Sequence, residues 1–121
     1  MKLSVGMDSV EIARVAKCLR REAFLRRVYT PQEQAQLAQK GNAAQTAAGY
    51  FAAKEAFAKA LGTGLRGFAL QEVWVEYDKL GQPRLRVKGR ARRLMGWRRK
   101  AALSITHTGA DASAVVVLYQ E

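Results

Sequence analysis

Hydrophobic and polar positions alternate at the start of the chain, where Leu3, Val5 and Met7 interleave with Lys2, Ser4, Gly6 and Asp8. A period of two predicts a first strand over residues 2–8, with Asp8 at its end. The period then lengthens. Ile12, Val15, Leu19 and Ala23 recur at three- and four-residue steps and predict a helix with one apolar stripe, flanked by Arg14, Lys17 and Arg21. Thr30-Pro31-Gln32-Glu33 has the form of a capping box and opens a short helix expected to end near Gly41. Residues 43–61 are rich in Ala, carry Phe51, Phe57 and Leu61, and run into Gly62 as a C-cap.

The second half changes character. Val73, Val75 and Tyr77 alternate with Glu72, Trp74 and Glu76, a half-buried strand. A turn from Asp78 to Pro83 leads into a returning strand with Leu85 and Val87, and residues 88–96 predict a basic helix. Residues 101–106 and 113–119 read as apolar strands joined by the turn Thr108-Gly109-Ala110-Asp111. No repeated strand–helix–strand unit is present. The pattern predicts an α+β domain, an antiparallel sheet packed against a long central helix and shorter helices.

Composition narrows the setting. The 121 residues suit one domain over residues 1–121, and 49% hydrophobic content excludes a disordered tail. One cysteine, Cys18, excludes an internal disulfide, and no Cys/His cluster is present for structural zinc. Apolar runs fall far short of the roughly 20 residues that a membrane span needs. The opening MKLSVGMDSV lacks a secretory apolar core, so a soluble cytoplasmic domain is expected.

Charge adds a partner class. Lys and Arg number 21 against 10 acids, a net charge of +11. Residues 14–27 hold six basic side chains against Glu22 alone, and residues 84–100 hold nine with no acid. Such fields attract polyanions: nucleic acid, an anionic membrane, a phosphorylated small molecule or an acidic protein. A solvated basic surface has the same composition.

Four places could carry chemistry. Glu55 and Lys59 are four apart on the long helix and share a face, either as a surface ion pair or as a carboxylate and an ammonium beside a phosphate. Asp8, at a strand end, is either a helix cap or half of a metal site with a second carboxylate such as Glu55. Magnesium takes one or two protein carboxylates and completes its shell with water and phosphate oxygens. His107, the only histidine, is either a hydrogen-bonded structural residue or a group near a phosphate. Gly62-Thr63-Gly64 follows its helix rather than opening one, so it is a C-cap or a pliant backbone near a ligand, not a P-loop. Cys18, among arginines and without a nearby base, is given no chemistry.

These segments together resemble the small bacterial holo-[acyl-carrier-protein] synthases, which are 4'-phosphopantetheinyl transferases. The matching stretches are Gly6-Met7-Asp8-Ser9-Val10-Glu11-Ile12-Ala13-Arg14, Tyr29-Thr30-Pro31-Gln32-Glu33, Phe51 through Gly64, and Ser104-Ile105-Thr106-His107-Thr108. They follow the family's order over nearly the whole chain, and the Phe51–Gly64 stretch is the specific one. The resemblance implies the family's fold and transfer of phosphopantetheine from coenzyme A to a serine of an acidic apo acyl carrier protein, in support of fatty acid biosynthesis. It implies Mg²⁺ on Asp8 and Glu55, with Asp8, Glu55 and Lys59 catalytic, and a coenzyme near Lys59, Gly62, Gly64, Ser104 and His107. It also implies a homotrimer with sites between subunits, and carrier contacts at Arg14, Arg21, Phe24 and Arg27. Tyr50 departs from the family, where Arg is common, as do Ser9 and Cys18. The rival class, a nucleic-acid-binding module, draws on the basic run alone. It has no recognition motif, only Trp97 as an aromatic in that run, and no use for Asp8 or Glu55.

Overall fold

A computed structural model of the chain describes residues 2–121. Strand β1 (Lys2–Glu11) leads into helices α1 (Ile12–Leu19), α2 (Glu22–Val28) and α3 (Pro31–Ala38), then the long α4 (Ala43–Leu61). A short 3-10 turn precedes the hairpin β2 (Val73–Tyr77) and β3 (Pro83–Val87), and α5 (Gly89–Met95) precedes β4 (Lys100–His107) and β5 (Asp111–Gln120). The sheet is antiparallel in the order β1-β5-β4, with β2-β3 forming a separate two-stranded ribbon. The expected α+β architecture with a central helix is what the chain adopts.

α4 owes its central position to its small residues. Ala47, Ala48, Ala52, Ala53, Ala56 and Ala60 are all buried, so the sheet comes unusually near the helix backbone. The nearest approach is at Gly6. A Cβ there would lie 1.9 Å from the Ala56 carbonyl oxygen and 2.5 Å from the Ala60 nitrogen, so only glycine fits. At the other end Gly62, with φ +84°, closes the helix as expected, its N–H donating to the carbonyls of Ala58 and Lys59.

A buried polar hub ties α3 and the ribbon to α4. The Thr30–Glu33 capping box forms as predicted, with Thr30 Oγ1 accepting from the Glu33 N–H at 3.1 Å. Glu33 does more than cap. Its carboxylate also accepts from the Thr30 N–H (3.0 Å), the Val75 N–H (2.9 Å) and Lys54 Nζ (2.8 Å). Lys54 completes its donors on the carbonyls of Val73 (2.6 Å) and Leu70 (3.1 Å). Both side chains are fully buried, and burial pushes the Lys54 ammonium below its usual range while Glu33 opposes that shift.

Three sequence expectations are corrected. β1 runs on to Glu11, so Asp8 sits within the strand and caps nothing. The helical stripe does not reach Ala23: α1 stops at Leu19, a new helix begins at Glu22, and Ala23 is exposed. The alternation in β1 is real but inverted relative to the core. Gly6 faces α4, and Leu3, Val5 and Met7 point away at 61%, 54% and 61% exposure. They stand opposite Tyr119, Val117 and Val115, which pair in turn with Lys100, Ala102 and Ser104. The sheet therefore has a second, largely apolar face with nothing upon it among the described residues.

Two substitutions test this packing. Gly6→Ala places a methyl against helix backbone that cannot yield locally, and a loss of about 3 kcal/mol is expected by urea denaturation; a loss below 1 kcal/mol contradicts the contact. Lys54→Met leaves Glu33 buried and unpaired, with an expected loss of about 3–5 kcal/mol.

Candidate active site

The Gly6 contact fixes the register between β1 and α4, and the site follows from it. Two residues beyond Gly6 on the same side of the strand is Asp8. On the facing surface of α4 lie Glu55 and Lys59, one helical turn apart. Lys59 Nζ donates to Asp8 Oδ1 at 2.9 Å and to the Met7 carbonyl at 3.0 Å. Its partner is thus Asp8 and not Glu55, the helical neighbour that spacing alone suggests. The hydrogen bond and charge of Asp8 raise the Lys59 pKa, so the ammonium stays charged.

Asp8 and Glu55 line one cavity of about 520 Å³, with Arg14, Cys18, Phe24 and Phe51 among its other walls. Desolvation and the neighbouring Asp8 charge hold the Glu55 carboxyl above the usual glutamate range, against the pull of Lys59 and Arg14. Two carboxylates crowded together, one of them reluctant to ionise, are a pair waiting for positive charge. Asp8 Oδ2 is buried and accepts no hydrogen bond. Among the described residues no group of three or more His, Cys, Asp or Glu could enclose a metal. A pair of hard oxygen donors with one unsatisfied oxygen instead fits Mg²⁺, which retains open positions for water and phosphate oxygens.

The remaining expected residues separate into groups. Phe24 lines the carboxylate cavity and also a shallow depression of about 210 Å³ with Arg21, Ala23 and Arg27. Arg14, Phe24, Arg21 and Arg27 thus form a continuous path outward from the site. Gly62 and Gly64 lie beyond the end of α4, and Leu65, just after them, is a cavity wall that sequence reasoning missed. Its signal is a large apolar residue directly after Gly62-Thr63-Gly64, and the structure leaves it 43% exposed. Cys18, given no chemistry from sequence, is another wall.

His107 lies elsewhere in the chain. It lines a second cavity of about 250 Å³ with Lys40, Thr46, Tyr50, Tyr77 and Pro83. Tyr50 donates to Gln36 Oε1 at 2.7 Å and lies 3.1 Å from the Tyr77 hydroxyl. Ser104 points to the outer sheet face in the row of Met7 and Val115 and lines neither of these cavities. The chain therefore carries the carboxylates and the histidine in two separate hollows.

Two carboxylates and an ammonium, set on a rigid strand and helix beside a basic surface, are the equipment of an enzyme that handles phosphoryl groups. Known proteins make the class specific. The model of the 4'-phosphopantetheinyl transferase superfamily matches residues 4–113. The holo-[acyl-carrier-protein] synthase of Trichlorobacter lovleyi is 44% identical over 98% of both chains. That of Treponema denticola is 40% identical over 98% of both. Among solved structures, the Bacillus anthracis holo-(acyl-carrier-protein) synthase in complex with CoA (3',5'-ADP) has a TM-score of 0.83 at 30% identity, covering 98% of this chain and 96% of its own. The Chronobacterium ammoniagenes ACPS–CoA complex has a TM-score of 0.84 at 30% identity, covering 100% and 99%. The chain belongs to the 4'-phosphopantetheinyl transferase superfamily and, within it, to the holo-[acyl-carrier-protein] synthases.

The electrostatics of Glu55 give a signed prediction. Its folded pKa is raised, so between the unfolded and folded values the native state binds more protons, and stability of the metal-free protein falls as pH rises through that window. Glu55→Gln is expected to raise the Tm of the metal-free protein at pH 7 and to have little effect at pH 4. A lowered Tm at pH 7 contradicts the crowded-carboxylate description.

Proposed function

We propose that this protein, as one domain over residues 1–121, transfers 4'-phosphopantetheine from coenzyme A to a serine of an apo acyl carrier protein. Adenosine 3',5'-bisphosphate is the other product. The observation that carries the reading is the buried, unpartnered Asp8 oxygen beside Glu55 and Lys59, in a chain of this family. In the reaction the serine oxygen bonds to the pantetheine-side phosphorus and the phosphorus–oxygen bond to adenosine bisphosphate breaks. Of the two carboxylates, Glu55, whose pKa is raised, is the one suited to take the serine proton. Lys59 holds Asp8 in place and offers its remaining donor to the phosphate, which lowers the cost of charge on the leaving group. Mg²⁺, held by Asp8 and Glu55, supplies neutralisation of the diphosphate charge. No covalent enzyme intermediate is required, since positioning and electrostatics carry most phosphoryl-type transfers.

Two features support a homotrimer with its sites between subunits. The apolar outer face of the sheet, centred on Val5 and Val117, lacks a covering layer in the protomer. The hollow around His107, where Lys40 is the cation, lies apart from the carboxylate cavity. A coenzyme that uses both is most simply bridged between neighbouring copies, with Lys59 and the Gly62–Gly64 segment from one, and His107 and Ser104 from the next. The carrier, an acidic protein, docks on Arg14, Arg21, Phe24 and Arg27, whose basic field matches it. No helix among the described residues is long and apolar enough to cross a membrane. A cytoplasmic role in fatty acid biosynthesis suits these partners.

The test is the intact mass of an apo acyl carrier protein incubated with this protein, coenzyme A and Mg²⁺. A gain of one phosphopantetheine, abolished by EDTA and reduced at least about 100-fold in rate by Glu55→Gln, is expected. No gain with several apo carriers overturns the reading. For the assembly, Val5→Asp is expected to leave a folded monomer by light scattering and to remove transfer; a trimer that survives this charge contradicts the proposed interface.

A further inference from the structure

The basic run at 84–100 takes no part in the carboxylate cavity, yet the fold gives part of it a definite shape. Arg92 on α5 holds the loop that leads into β4. Its guanidinium donates to the carbonyls of Trp97 (2.9 Å) and Arg99 (3.3 Å) and stacks 5.5 Å from the centre of the Trp97 ring. Arg99 is fixed in turn, donating through Nε to the Met95 carbonyl and through Nη1 to Ser4 Oγ at 3.3 Å. Beside Arg99 lies an open hollow of about 520 Å³, walled also by Lys2, Leu3, Ser4, Trp97 and Arg98.

No carboxylate lines this cavity. Among the described residues, none of Lys2, Arg98 and Arg99 belongs to an ion pair. Three cations gathered around one hollow repel each other, and a bound anion offsets that repulsion. The hollow also has the size of small-molecule sites, which run from roughly 300 to 1,000 Å³. Trp97 is 71% exposed: with Arg92 over its ring, much of the indole surface is still open to a second planar partner. Arginine-flanked aromatics of this kind stack nucleobases. Ser4 faces the same side of β1 as Gly6, so most of the cavity lies on the helix-bearing side of the sheet. Leu3, its one wall from the outer face, marks the edge it shares with that face. Along β1 its walls Ser4 and Lys2 are about 13 and about 20 Å from Asp8.

We propose that this cavity is a second anion site, separate from the transfer site, that takes a nucleoside phosphate. Its phosphates lie against Lys2, Arg98 and Arg99, and its base stacks on Trp97. A free nucleotide and one unit of a single-stranded nucleic acid offer the same chemistry. An acidic protein surface fits less well, since carboxylates alone give Trp97 no planar partner and a convex helix does not fill a concave hollow.

The test uses the full chain and follows the Trp97 indole N–H resonance, assigned with Trp97→Phe, during titration with ATP in EDTA. A saturable shift is expected, weakened at least about tenfold in Lys2→Ala/Arg98→Ala. That variant is expected to retain phosphopantetheine transfer, since neither residue belongs to the transfer site. Pyrophosphate is expected to bind more weakly than ATP. Oligouridylate binding more tightly than ATP, with steep salt dependence, supports the site and assigns its natural source to a nucleic acid strand. No indole shift at millimolar ATP, equal affinity in the double variant, or pyrophosphate equal to ATP each overturns the proposal.

Discussion

The contact between Gly6 and the backbone of α4 is the constraint on which the rest of this structure depends. A strand can approach a helix this closely only if neither surface carries bulk. The chain meets that condition twice, with glycine on β1 and alanines at 52, 56 and 60 on α4. Once the backbones are in register, Asp8 has no freedom to lie elsewhere than beside Glu55 and Lys59. Fifty-one residues of sequence separation disappear into one hydrogen bond of 2.9 Å. Rigid backbone contact of this type is a good foundation for a site, because small displacements are opposed by hard repulsion rather than by soft side-chain packing.

Successive residues of α4 serve two different electrostatic purposes. Lys54 turns inward and is neutralised by Glu33, with two further carbonyls completing its donors. Glu55, the next residue, turns toward a cavity where its nearest acid is Asp8. One buried charge is thus fully satisfied and its neighbour is left wanting. The satisfied pair locks α3 and the β2–β3 ribbon to the helix, which keeps the unsatisfied pair in place. Instability concentrated at the carboxylates is the ordinary signature of a site that gains its stability from a ligand.

Much of this was legible in the sequence. The capping box at Thr30, the Gly62 cap and the five strands are found where periodicity and turn chemistry indicate them, although β1 runs three residues past its expected end. Asp8, Glu55 and Lys59 were recognisable as residue types, and their union was implied by the family resemblance alone, because nothing in spacing reports a strand–helix contact over such a separation. The second role of Glu33 was hidden for the same reason. Its capping function is local and readable, whereas its bond to Lys54 is tertiary. The alternation in β1 predicted a strand correctly and its buried side wrongly. Alternation identifies two faces, but which one meets the core was decided by Gly6, a residue without hydrophobic weight. The break between α1 and α2 also escaped, since Arg20 and Arg21 carry no helix-stop signal.

The central claim is that β1 and α4 are held together so that Asp8 and Glu55 form a two-carboxylate cradle for one divalent cation. Mn²⁺ uptake in the presence of coenzyme A, read from the paramagnetic resonance signal of the free ion, tests it most directly. The account predicts one Mn²⁺ per chain, released by replacing either carboxylate with its amide, while coenzyme A still binds. Undiminished uptake in both Asp8→Asn and Glu55→Gln would contradict it.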